Sequence, residues 1–153
     1  MKNIFISVMI GLIILFVIWY FVSPLFIDKV VNETIPSDND VLNEIEQESF
    51  IGRQGSFVSA DSFHQVKGSA KIINIDGKNY LSLENFESTN GPDLKVYLSE
   101  DLNADSYVSL GELKGNIGDQ NYELGDIDLE RYDNVLIWCE RFSVLFGNSE
   151  LSS

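Results

Sequence analysis

The sequence predicts an all-β fold, an antiparallel β-sandwich of about eight strands, tethered by one N-terminal transmembrane helix. Two patterns carry this. Residues 4–22 hold no charged side chain, and from residue 55 onward short alternating runs are separated by Gly, Pro, Asn and Asp. A third observation excludes an α/β class: no stretch of helical period is long enough to cross between parallel strands.

The anchor reads "IFISVMIGLIILFVIWYFV", 19 residues from Ile4 to Val22. As a helix it measures roughly 28 Å, close to the ~30 Å hydrocarbon thickness of a bilayer. Gly11 is tolerated in such helices, and Trp19 and Tyr20 suit a membrane interface. A cleaved signal would have a shorter apolar region, about 7–15 residues, ending at a small-x-small site. The exit "YFVSPLFIDKV" offers only Ser23 as a small residue and has no cysteine to accept a lipid, so an uncleaved signal anchor is expected. The N-terminus and Lys2 precede the helix, whereas Asp28 and Lys29 cancel after it. That balance places the N-terminus inside and predicts a single-pass cell-membrane protein with its C-terminal domain extracytoplasmic.

Residues 23–54 are expected to form an acidic juxtamembrane stalk. Ser37 with Asp40 three residues later is a capping pattern, and Val41, Leu42 and Ile45 give a thin apolar face for a short helix. A loop is expected at "GRQGS".

The β domain is expected over residues 55–151. "SFVSA" (56–60) supplies a first strand, and "KIINIDGKNYLSLENF" (71–86) reads as a hairpin turning at Asp76-Gly77. Strands follow at "LKVYLS" (94–99), "YVSLGELKG" (107–115), "QNYEL" (120–124), "VLIWCE" (135–140) and "SVLFG" (143–147).

Scarcity narrows the chemistry. The chain has one histidine, His64, one cysteine, Cys139, and two methionines, Met1 and Met9, at its N-terminal end. Blue copper needs two His and a Cys, structural zinc about four N/S ligands, and iron–sulfur clusters several Cys or His. None of these sets can be filled from one chain. No G-x-S-x-G elbow accompanies His64, which leaves a serine triad without its serine motif. Haem, ligated axially by Cys139 or His64, or no cofactor at all, remains compatible with the counts. Calcium is open only through Asp119, Glu123, Asp126, Asp128, Glu130 and Asp133, which lack the D-x-D-x-D-G pattern. All 24 acidic residues lie after residue 27, against nine of the ten basic ones, a balance that disfavours nucleic acid as a partner.

Alternation places Val135, Ile137 and Cys139 on one face of a strand and Leu136, Trp138 and Glu140 on the other. The first set is wholly apolar, so Cys139 is expected toward the core, where a thiol is inert unless a cation or metal is near. His64 reads either as an imidazole bonded to nearby backbone or as a ligand or proton relay. A Cys139–His64 pairing is allowed by the counts and required by nothing in the sequence.

The ordered series "FHQVKGSAKI", "LSLENFESTNGPDLKVYLS", "LGELKGNIGDQNYEL" and "YDNVLIWCERFSVLFGNSEL" resembles the DM-thirteen domain, the electron transfer DM family, from about Gly55 to Leu151. The resemblance implies a compact β domain of extracellular or membrane-anchored proteins. It also implies a redox or electron-transfer role centred on a cysteine that matches Cys139, as a naked thiol or a ligand of a prosthetic group, with a redox or cell-surface protein as partner. His64 is the second site candidate. The alternative is a non-catalytic cell-surface binding or scaffold module in which Cys139 is only packing.

Overall fold

The computed structural model describes residues 2–23, 27–34, 50–75 and 77–152. The expected stalk helix after Ser37 and the turn residue Asp76 lie outside the described residues. Helix α1 spans Lys2–Val22. Its described side chains from Ile4 to Tyr20 are exposed on every side except at Gly11. Within the described residues no helix is long and apolar enough to cross a membrane. The expected tether is therefore not a finding of the structure and rests on the sequence.

Nine strands make two antiparallel sheets: β1 (Phe50–Ser56), β2 (Val58–Ser59), β3 (Val66–Ile75), β4 (Lys78–Ser88), β5 (Leu94–Ser99), β6 (Tyr107–Glu112), β7 (Gln120–Glu123), β8 (Asn134–Cys139) and β9 (Val144–Glu150). One sheet is ordered β1-β3-β4-β7 and the other β2-β9-β8-β5-β6. Their inner faces share one apolar cluster. Val66, Ala70, Ile72, Leu81 and Leu83 come from the first sheet, and Val96, Leu98, Val135, Ile137 and Phe146 from the second. Alternation at period two is what sends these side chains to a common interior.

The expected hairpin pairs Ile75 with Lys78, and Gly77 takes a φ of 81° at its turn. The loop expected at "GRQGS" is instead strand β1, paired with β3 through a register shift between Ile51 and Gln54. Weakly strand-prone residues are held there by β3 backbone and by Ser152, whose amide bonds the Gln54 carbonyl at 3.0 Å. The outer face of the second sheet is not fully open either. Leu136 is as buried as its inner neighbours, and Tyr97 beside it stacks on Tyr107 with centroids 4.2 Å apart.

Residues 28–34, which the sequence places in the stalk, lie extended against the domain. Val30 forms a parallel bridge with Ile117, the Val31 amide donates to the Ile117 carbonyl at 2.8 Å, and the Glu33 amide donates to Asp119 at 2.8 Å. The Glu33 carboxylate receives Lys114 Nζ at 2.8 Å and the Asn121 amide at 2.9 Å. Burial alone would raise the Glu33 pKa; the Lys114 and Asn121 bonds and the Lys114 charge outweigh it and hold it below the usual range.

Candidate functional site

Cys139 closes β8, the middle strand of the second sheet, where its register partners are Leu94 on β5 and Val144 on β9. It is free and 1% exposed, on the same apolar face as Val135 and Ile137, as alternation requires. It also lines a cavity of about 340 Å³ with Phe63, His64, Asn90, Gly91, Pro92, Phe142, Val144 and Phe146. The fold thus brings both sequence candidates, Cys139 and His64, to one cavity. Phe63 and Phe142 are 83% and 66% exposed, so aromatic rings form its solvent side.

His64 is fixed by a turn that Asp61 organises. Asp61 Oδ1 accepts the amides of Phe63 and His64 at 2.7 and 2.8 Å, and its Oδ2 lies 2.8 Å from His64 Nδ1. These bonds, that of the imidazole first, pull the Asp61 pKa down to about 2. An ionised carboxylate only accepts, so the hydrogen sits on Nδ1, and in the neutral ring Nε2 keeps its lone pair. The imidazole also packs against Phe146, with ring centroids 4.5 Å apart. The loop is tied down further by Ala60, whose amide bonds the Phe146 carbonyl at 2.9 Å, and by Thr89, whose amide bonds the Gln65 carbonyl at 2.9 Å.

Sequence reasoning missed Asp61 and Phe63 here, although the Asp-x-x-His spacing carries the signal for an Asx turn ending in a bonded imidazole. Phe142 stands at the cavity's exposed rim.

The donor set limits what the cavity can hold. Among the described residues no group of three or more His, Cys, Asp or Glu is placed to bind a metal ion. One sulfur and one imidazole nitrogen suit an axially held group, and not an ion that needs three or four protein ligands. The acids considered for calcium are spread over separate duties. Asp119 Oδ1 accepts the Asn85 amide at 2.7 Å, Asp128 Oδ1 accepts the Glu130 amide at 3.1 Å, and Glu130 pairs with Arg53 at 3.4 Å.

The polar motif residues serve another purpose. Gln120, fully buried, accepts the amides of Lys114 and Gly115 at 3.0 and 3.3 Å and donates to the Gly115 carbonyl at 2.9 Å. Its Oε1 also lies 2.8 Å from the Tyr122 hydroxyl, whose pKa is pushed up, chiefly by burial. Together they fix the loop between β6 and β7.

Two antiparallel sheets over one core, with a buried thiol at an aromatic-walled cavity, define a small two-sheet β domain. The chain belongs to the electron transfer DM13 family, whose model matches residues 56–151, more than half its length. The family's description suggests a role related to electron transfer. No curated protein and no solved structure gives a significant match to the chain.

Proposed function

We propose that the chain is a single-pass membrane protein whose extracytoplasmic β domain exchanges one electron through Cys139, with His64 as its proton acceptor. The observation that carries this reading is the shared cavity: the only thiol and the only imidazole of the chain line one space. When an electron leaves the thiol for a one-electron acceptor on a partner protein, the S–H bond breaks and a proton must go elsewhere. His64, which lines that cavity, is the base within the site, and Asp61 at Nδ1 offsets the positive charge the ring acquires. A haem-type group bound there would be held by Cys139 or His64 and would supply an electron-carrying iron. The membrane tether rests on the uncharged run from Ile4 to Val22, since a helix apolar all round needs an apolar environment.

The test uses the full-length protein in detergent. Its absorption spectrum and one-electron oxidation, followed by electron paramagnetic resonance, are compared with those of Cys139→Ser. A visible band or a radical signal lost in the variant is the expected result. A colourless protein whose thiol reacts only after unfolding overturns the redox reading. Retention in membranes after alkaline carbonate washing, lost on deleting residues 2–22, tests the tether.

A second reading, a non-catalytic cell-surface binding module, is favoured by Phe63 and Phe142. Two exposed rings flanking one cavity are the kind of apolar surface that partners cover.

A further inference from the structure

The loop 114–119 pairs on one side with β4, where the Ser88 amide bonds the Asn116 carbonyl and the Gly118 amide bonds the Phe86 carbonyl, each at 2.8 Å. Its other side is an edge, and residues 28–34 occupy it as an added strand. Side chains reinforce the backbone at both ends. Asn116 accepts the Lys29 amide at 2.6 Å and donates to Asp28 at 2.8 Å, and Asn121 donates to the Thr34 carbonyl at 3.2 Å. Glu33 sits in the fork between Lys114 and the Asn121 amide. Two glycines make room for this strand. A Cβ at Gly115 would strike the Lys29 carbonyl oxygen, and one at Gly118, whose φ is 102°, would strike that of Val31. The "LKGNIGDQN" motif is therefore shaped to take an extended backbone flanked by two carboxylates, the mode of β-strand addition.

This edge also touches the thiol cavity. Asp28 Oδ1 accepts Asn90 Nδ2 at 3.0 Å. Asn90, Gly91 and Pro92 form a wall of the Cys139 cavity and also line the cleft of about 440 Å³ beside Lys29 and Ile27. One turn thus separates the strap from the thiol.

We propose that the edge formed by residues 114–121 is a receptor for an extended, acid-bearing peptide, filled in this chain by its own residues 28–34. Filling it holds the Asn90–Pro92 turn in place and so restricts access to Cys139. The inference concerns reach to the thiol and does not depend on electron transfer.

The experiment compares full-length wild type with Val31→Pro and Val31→Ala in detergent. Proline removes the amide that bonds Ile117 and alters neither sheet; alanine keeps that amide. Two rates are read: trypsin cleavage after Lys29 and alkylation of Cys139, the sole thiol. Core amide exchange confirms that the sheets are intact. Val31→Pro is expected to speed both rates about five- to tenfold, with Val31→Ala near wild type. Rapid wild-type cleavage after Lys29, or equal protection in Val31→Pro, overturns the receptor. Faster cleavage with unchanged alkylation overturns the coupling to Cys139. Protection of Lys29 that depends on protein concentration overturns the assignment to the chain's own segment.

Discussion

The Cys139 cavity and the segment 114–120 are both built from the family's motifs, yet they use polar atoms in opposite ways. In that segment, Gln120, Lys114 and Asn116 spend their bonding capacity on backbone and on residues 28–34. The cavity instead counts Cys139 and His64 among a lining made mostly of phenyl rings, Pro92 and Val144. A satisfied buried network fixes one conformation, whereas bonding capacity left over beside a cavity is what a ligand, a proton or an electron acceptor can use.

The largest expected effect is on the loop. Gln120→Ala leaves the Gly115 amide and carbonyl without their partner and the Lys114 amide with only the Tyr122 hydroxyl, and should cost about 3 kcal/mol in urea unfolding. A loss under about 1 kcal/mol would mean that water replaces the side chain and that the two regions do not differ as described. Cys139→Ser puts a hydroxyl among apolar neighbours and should cost about 1–2 kcal/mol while abolishing any redox signal. If the signal survives, the cavity is not the site.

The next effect is a pH dependence. Asp61 has its pKa lowered from 3.8 to about 2, so its contribution is fully present above about 3.8 and is lost as pH falls through 2. Asp61→Asn should flatten the stability profile between those values, measured by the thermal midpoint from pH 4 to 2. A parallel profile in the variant would show that the Asp61–His64 turn is not coupled to folding. The smallest effect is expected at Lys67, paired with Glu87 across 3.5 Å with both side chains more than half exposed. Lys67→Gln should change stability by under about 0.5 kcal/mol, which sets the floor against which the other variants are judged.

The sequence alone determined whatever depends on local pattern. The run "LKVYLS" became β5 over Leu94–Ser99, and Val135, Ile137 and Cys139 turned inward together, because side-chain direction in a strand follows period two. Tertiary structure decided what depends on partners distant in the chain. "FIGRQGS" is a strand only because β3 and Ser152 supply its bonds. His64 reaches the Cys139 cavity because the order β2-β9-β8 brings the loop after β2 alongside the end of β8. Residues 28–34 become an edge strand because two distant glycines leave room for their carbonyls. Local alternation carries no information about which strand lies beside which, and the candidate site is built from such neighbours.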